Sequence, residues 1–474
     1  MSTDWLEQDA TAQASAIARG ELAAADLVLA ARARLERLEP KLGILSVLAG
    51  GDAAAIERAE ATGGPFAGVP FLMKDVGARQ AGQPYYAGNR ALRAADHRAE
   101  ADTPLGARFR DLGLVTLGNS RSPEFGLQSI TWPLVQGPTH NPWDPSRAAG
   151  GSSGGACAAV AAGAVAVAHA SDGAGSIRIP AAWCGVIGLK PSRDRIEWRH
   201  RGKRRADVEF VVARSLRDTA RLLDLLRPAA ARAAAPSLCS AALGRRMPPL
   251  RVAWWAESPD GSPVHPDVMR AVEATAERLA ARGHVVRRAA PPGFADDRER
   301  ALHGAVLGID EYRGCLRELE QRIGRAVGPE DVEPFLWSLA HLGGDAPIEP
   351  EALARSADWV AAWERRTLAW FESVDLLVTP TVGQPAPFLD DLDPRRLEPL
   401  ALLARMVPHM AFTELWNATG QPAISLPLAA TAAEGLPIGV QLVAPPERED
   451  VLIAVAAELL PTTSGLPRVA PRQD

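Results

Sequence analysis

The chain has 474 residues, enough for one large domain or two ordinary ones, and its 47% hydrophobic and 23% charged residues are typical of a soluble globular protein. A net charge of −5 disfavours non-specific nucleic-acid binding, so we expect no nucleic-acid partner. The sequence has neither a basic segment followed by an apolar run at its start nor an uninterrupted apolar stretch long enough to span a bilayer. We therefore expect no signal peptide, no membrane partner and a cytoplasmic location.

Helices are expected in the N-terminal region, residues 1–60. Apolar positions spaced 3, 4 and 3 residues apart within 22–39 predict an amphipathic helix that ends at Pro40. The apolar run Phe66–Met73 then predicts a buried strand. This strand would place Lys74 at its end, where an isolated lysine is usually a solvated edge charge.

Two glycine-rich turns flank a small-residue segment between Gly150 and Pro180. The first turn reads GGSSGG, and the second is Asp172–Ser176. Between them, Ala156–Ala168 is apolar on every face, which predicts a buried helix that continues into a strand. Glycine-rich turns let the backbone approach a ligand and point N–H groups at it, which is how an oxyanion hole is built.

A strand–helix–strand rhythm follows in the C-terminal half and predicts a sheet covered by helices. A predominantly helical insertion, residues 295–372, is expected to wall one side of a substrate cleft. Further predicted elements include strands at Leu250–Trp255, Val285–Val286, Val374–Thr379, Ile424–Leu428 and Gly439–Val443, a helix at Pro266–Ala281 and a terminal helix with its apolar stripe at Leu452–Leu459.

Four further strings stand at well-separated places along the chain. They are GVPFLMKD at 68–75, NPWDPSR at 141–147, GLKP at 188–191 and GQPAISLP at 420–427. Together with the glycine-serine turns, these strings resemble the amidase signature family of serine hydrolases. Within that family the chain is most similar to the 6-aminohexanoate cyclic dimer hydrolase branch, which shares the AGS-x-RIPA string.

The resemblance implies an α/β fold, the amidase-signature fold. Its mixed, mostly parallel twisted sheet is covered by helices on both faces. We expect a single domain over residues 1–474, with its core at about 60–215 and 374–474 and the helical insertion at about 295–372.

The resemblance also implies a Ser–cis-Ser–Lys triad. Ser176 is the expected nucleophile, and Ser152, on a cis peptide bond with Gly151, is the expected bridging serine. Lys74 is the expected base. It can accept a proton only when neutral, so its pKa must be lowered, as burial without a full carboxylate partner would do.

Backbone N–H groups of the second turn are predicted to surround the developing oxyanion. Neighbouring side chains are predicted to support the turn: Ser153 as a hydrogen-bond donor, and Asp172 and Arg178 by pairing with each other or with loop amides. The predicted oxyanion hole consists of Gly173, Ala174, Gly175 and Ser176.

Three other features bear on the site. His169 is interpreted as a core histidine rather than a catalytic one, since the triad needs no histidine. The family lysine of a GKTN-like string is Asn119 here, so the contact of that lysine is expected to differ. The basic run Arg199–Arg205 is interpreted as a solvated loop, with a basic wall near the substrate entrance as the alternative.

The function predicted from these residues is hydrolysis of a small or linear carboxamide through an acyl-enzyme, without a cofactor or a metal ion. The alternatives are an acyltransferase that uses the same acyl-enzyme, a protein like the aminotransferring subunit of a tRNA-dependent amidotransferase, and a catalytically inactive binding protein. The expected partner is the small-molecule amide. The oligomeric state stays open, a homodimer included.

Overall fold

Eleven strands and eighteen α-helices form the part of the chain that the computed structural model describes, residues 4–197, 206–235, 238–295 and 297–461. The strands are β1 (Leu45–Leu48), β2 (Pro70–Lys74), β3 (Val115–Ser120), β4 (Val167–Asp172), β5 (Ile187–Lys190), β6 (Val208–Ala213), β7 (Arg251–Trp254), β8 (Val285–Arg288), β9 (Leu376–Pro380), β10 (Ala423–Ala430) and β11 (Pro437–Val443). The helices are α1 (Asp4–Glu7), α2 (Ala10–Ala18), α3 (Ala24–Leu42), α4 (Ala53–Ala61), α5 (Arg90–Ala94), α6 (Pro104–Asp111), α7 (Gly154–Ala161), α8 (Arg178–Cys184), α9 (Leu216–Leu226), α10 (Ala229–Ala234), α11 (Leu238–Ala242), α12 (Pro266–Ala280), α13 (Asp297–Ile323), α14 (Pro334–Ala340), α15 (Pro350–Phe371), α16 (Pro399–Met410), α17 (Glu414–Thr419) and α18 (Glu449–Leu459). Short 3₁₀ turns lie at Glu124–Gly126, Pro292–Ala295 and Leu389–Leu392.

The described strands form one mixed sheet in the order β1-β3-β2-β4-β6-β5-β10-β11-β9-β7-β8. Strand β2 pairs in parallel with β3 and β4, and β7 pairs in parallel with β8 and β9. The strands between these two groups pair antiparallel. The predicted α/β class with a mixed sheet is confirmed.

Strand β4 and helix α7 bring the two glycine-rich turns together. All eight residues of α7 are buried, as its uniformly apolar sequence predicts. The helix runs from the first turn, and β4 then returns through the core and ends at Asp172, where the second turn begins. Since β2 lies parallel to β4, Lys74 reaches the same edge of the sheet as the second turn.

Two predicted boundaries are wrong: β2 begins at Pro70 instead of Phe66, because the chain still turns at residues 66–68, and α3 does not end at Pro40. Helix α3 continues through Pro40 to Leu42 instead of ending at the proline. A proline in the last turn removes only one helical N–H, and Gly43, in the left-handed region with φ +58°, then ends the helix. Helices α13, α14 and α15 lie within the region predicted to be a helical insertion.

Among the described residues, no helix combines the length and the apolar character needed to cross a membrane. The four cysteines are free thiols, and only Cys315 is partly exposed.

Candidate active site

Lys74, the last residue of β2, is 1% exposed. Its Nζ donates to the Oγ atoms of Ser152 at 2.7 Å and Ser171 at 2.8 Å. Burial lowers the pKa of Lys74 from 10.5 to about 8, although the negative charges of Glu209 and Asp172 oppose the shift. A buried amine bonded to two hydroxyls therefore has a substantial neutral fraction near pH 8.

Ser152 follows Gly151 across a cis peptide bond and is 2% exposed. Gly151 packs against backbone atoms of Ile130, which would lie 2.5–2.6 Å from a Cβ at position 151. A Cβ at Gly126 would lie 3.3 Å from the Oγ of Ser152. Glycine is therefore required at 151, and the glycine at 126 leaves space beside the Ser152 hydroxyl.

Ser153 links the two turns. Its backbone N–H donates to the carbonyl of Ser176 at 3.2 Å, and its Oγ donates to the carbonyl of Ser171 at 3.3 Å. Ser176 itself is partly exposed, whereas Ser152 and Ser153 are buried. The arrangement holds the Ser152 segment beside the backbone of Ser176 and leaves Ser176 open to a substrate.

Asp172 and Arg178 form a two-pronged ion pair that is fully buried. Nε and one terminal nitrogen of Arg178 each lie 2.9 Å from a carboxylate oxygen of Asp172. The same carboxylate accepts from the N–H of Gly175 at 2.7 Å and from the N–H of Ile177 at 3.2 Å. The charge of Arg178 holds the pKa of Asp172 at about 2 against the effect of burial. Asp172 therefore stays ionised and shapes the turn that carries Ser176.

The predicted oxyanion hole needs one correction. The N–H of Gly175 donates to Asp172, so it is engaged inside the turn instead of facing a substrate. In the described part of the chain, the N–H groups of Gly173, Ala174 and Ser176 have no acceptor. On the outer side of the turn, the hydroxyl of Thr413 donates to the carbonyl of Ala174 at 2.7 Å. Three of the four predicted donors are thus left for a ligand.

His169 and Asn119 lie deeper than the two turns. His169 is fully buried, and its Nδ1 accepts the backbone N–H of Lys74 at 3.1 Å. Asn119 donates to the carbonyl of Pro84 at 2.6 Å and lies 3.5 Å from Asp75. The hydrogen bonds of both side chains thus go to the backbone and to surrounding groups, which places them beside the predicted triad rather than in it.

The basic run Arg199–Arg205 lies outside the described residues. The chain that follows it reaches the second turn. The carbonyl of Ala206 accepts from Asn417 at 3.3 Å, and Oδ1 of Asp207 would lie 2.5 Å from a Cβ at Gly173. Glycine at 173 is therefore needed for this close approach.

A family model described as Amidase matches residues 26–453 of the chain. The chain belongs to the amidase signature family. The members of this family to which it is similar are hydrolases of amide C–N bonds.

Two curated amidases and one solved amidase structure illustrate the similarity. The 6-aminohexanoate-cyclic-dimer hydrolase of Pseudomonas sp. strain NK87 is 36% identical, over 100% of this chain and 97% of that protein. The putative amidase AmiC of Mycobacterium bovis is 35% identical, over 95% of this chain and 93% of that protein. The structure of a 6-aminohexanoate cyclic dimer hydrolase complexed with substrate matches with a TM-score of 0.89 and 33% identity, covering 98% and 99% of the two chains.

Four polar residues of this amidase site were not predicted from the sequence. Ser171 lies beside the second turn and contacts Lys74 directly, and its position in the string SDGAGS was the one available signal. The others come from distant elements: Thr413 precedes α17, Asn417 lies on it, and Gln441 lies on β11. Arg178 donates to Asn417 at 2.6 Å and to Gln441 at 2.8 Å. Only the tertiary fold brings these three residues to the site.

Proposed function

We propose that the chain hydrolyses a small or linear carboxamide through Ser176, Ser152 and Lys74, by way of an acyl-enzyme. The observation that carries the proposal is the 2.7 Å hydrogen bond from the buried amine of Lys74 to the hydroxyl of Ser152. Within the described part of the chain, both acceptors of this amine are hydroxyls, and no carboxylate is hydrogen-bonded to it to hold its proton.

In the first half of the reaction, Oγ of Ser176 attacks the amide carbonyl carbon. Its proton passes to Oγ of Ser152, and the proton of Ser152 passes to Nζ of Lys74. The N–H groups of Gly173, Ala174 and Ser176 stabilise the tetrahedral oxyanion.

The same relay then runs in reverse. Ser152 gives a proton to the leaving nitrogen and regains one from Lys74, so the C–N bond breaks and the amine departs. Water attacks the acyl-enzyme and gives its proton to the relay, which releases the carboxylic acid and restores Ser176.

Relatives point to the first substrates to test. The similar hydrolases act, by their names, on a cyclic dimer of 6-aminohexanoate. We therefore propose cyclic and linear amides of short ω-amino acids as one substrate class, to be screened beside aryl amides and simple linear carboxamides.

The decisive experiment combines this screen with the Ser176→Ala variant. We expect the purified chain to cleave at least one amide and to be labelled by a fluorophosphonate probe, and Ser176→Ala to lose both properties while keeping the wild-type circular dichroism spectrum. Full activity of Ser176→Ala would refute the mechanism.

Addition of hydroxylamine to the same reaction tests the fate of the acyl group. Under the proposal, water is the main acceptor and the acid is the main product. A hydroxamate as the dominant product at low acceptor concentration would indicate the acyltransferase alternative.

A further inference from the structure

The proposed triad leaves one buried acidic residue near Lys74 unexplained. Glu209 lies on β6, 1% exposed, directly across from Ser171 on the antiparallel neighbour β4. Residues directly opposite in such a pair share a face of the sheet, with Cβ atoms about 5 Å apart. Since Ser171 accepts the hydrogen bond of Lys74 Nζ, the carboxylate of Glu209 lies on the face that carries the amine.

His169 connects this carboxylate to the backbone of Lys74. Its Nδ1 accepts the N–H of Lys74 at 3.1 Å, so this nitrogen carries no proton and the ring is the neutral Nε2–H form. Nε2 lies 3.3 Å from Oε2 of Glu209, but off the line of an ideal hydrogen bond. The ring of Phe109, 5.5 Å away, covers the imidazole.

Gly77 shows how tightly the carboxylate is held against the chain that follows Lys74. A Cβ at position 77 would lie 2.0 Å from Oε1 of Glu209, and Gly77 has φ +98°. Any side chain at 77 would displace Glu209. The carboxylate is thus enclosed by β4, by His169 and by the segment that leaves β2.

The other charged or titratable groups around Lys74 are already accounted for. Asp172 is paired with Arg178 and opposes the Lys74 shift less than Glu209 does, Asp207 is partly exposed, and Cys157 on α7 is kept protonated because burial raises the pKa of its thiol. Among the described residues, no arginine or lysine forms an ion pair with Glu209. Its negative charge has the strongest opposing effect on the lowered pKa of Lys74.

We propose that the His169–Glu209 pair sets the basicity of the Lys74 amine, with Glu209 as the counter-charge that stabilises the ammonium formed when Lys74 takes up the proton. Glu209 touches neither substrate nor the reacting atoms, so it is a positioning residue. This inference rests on the proposed role of Lys74 as the base.

The chain contains a matched control. His284 accepts the backbone N–H of Leu250 through Nδ1 at 3.1 Å, and its Nε2 lies 3.3 Å from Oε2 of Glu458. This second histidine–glutamate pair repeats the distances of the first and joins the start of β8 to α18, outside the proposed site. Glu458→Gln therefore makes the same chemical change without altering the surroundings of Lys74.

The experiment measures the rate of fluorophosphonate labelling of Ser176 against pH. This rate reports the protonation of the base and requires no known substrate. In the wild type, labelling should rise with pH around a midpoint near 8, the pKa of Lys74. Glu209→Gln removes a negative charge that favours the ammonium, so the pKa of Lys74 falls and the midpoint should move down by about one pH unit. The plateau rate should fall several-fold, because the ammonium loses its counter-charge.

Glu458→Gln should reproduce the wild-type curve. If Glu209→Gln fails to fold, Glu209→Asp keeps the charge at a longer distance and should move the midpoint in the same direction by less. An unchanged or raised midpoint in the folded variant would overturn the inference, whereas labelling that survives Ser176→Ala would refute the proposed function instead.

Discussion

Two lysines, Lys74 and Lys190, are buried at the ends of strands of one sheet, yet their surroundings differ. Lys190 ends β5, is fully buried, and donates to the carbonyl of Pro191 at 3.0 Å. Burial and the nearby charge of Arg178 lower its pKa to about 7, whereas burial lowers the pKa of Lys74 to about 8. By basicity alone, Lys190 would be the more readily neutral amine at neutral pH.

The difference lies in the acceptors. A hydroxyl such as that of Ser152 can receive a proton from one side and release its own to the other, whereas the carbonyl of Pro191 has no proton to exchange. Burial therefore makes a lysine neutral, but only a hydroxyl partner makes the neutral amine useful for proton transfer.

The largest expected effect separates these two lysines directly. Lys74→Met should lower kcat/KM about 10⁴-fold or more, because the proposed relay would lose its terminal base. Lys190→Met replaces a buried amine by an apolar side chain of similar length and should keep kcat/KM within about tenfold of wild type. Both are measured on the best amide from the screen. If Lys190→Met lowered kcat/KM as much as Lys74→Met, Lys190 would also take part in catalysis.

The second prediction concerns Asp172, whose charge acts on both lysines. Asp172→Asn leaves Arg178 buried without its carboxylate, so the free energy of unfolding should fall by about 3–5 kcal/mol in urea denaturation. Glu21→Gln, which removes the carboxylate of the exposed Arg19–Glu21 pair, is the control and should leave the midpoint unchanged. Equal stability of Asp172→Asn and wild type would contradict the structural role of the pair.

The third prediction tests the second hydroxyl around Lys74. Ser171→Ala removes one of the two acceptors of the buried amine, so kcat should fall about tenfold. Ser171→Thr keeps the hydroxyl and should retain most of the rate. Identical kcat values for the alanine variant and the wild type would show that Ser152 alone holds the amine.

The fourth prediction concerns the dependence of stability on pH. The folded-state pKa of Lys190, about 7, lies below its ordinary value of 10.5, so between these values the unfolded chain binds a proton that the folded chain has released. Stability should therefore rise with pH from 7 towards 10, and Lys74 adds a rise of the same sign above pH 8. The stability of the Lys190→Met variant, measured by thermal melts, should rise less steeply between pH 7 and 9 than that of the wild type. An unchanged slope would contradict the lowered pKa of Lys190.

Much of the local structure around the candidate site can be predicted from the amino-acid sequence. The uniformly apolar segment before β4 predicts a buried helix, and the glycine-rich strings mark both turns that meet at the candidate site. The resemblance of distant strings predicted the cis bond before Ser152, which the structure contains. Helix α3 departed from prediction because a proline in a last turn removes too little hydrogen bonding to end it.

Contacts between residues far apart in sequence depended on the tertiary structure. Local pattern does not reveal that the hydroxyl of Thr413 reaches the carbonyl of Ala174 across 239 positions. The His169–Glu209 contact likewise exists only because β4 and β6 are antiparallel neighbours. The sequence alone determined which residues can do the chemistry, since that depends on side-chain type and local backbone. Pairing, burial and electrostatic surroundings were decided by the fold, because they depend on which strands and helices lie side by side.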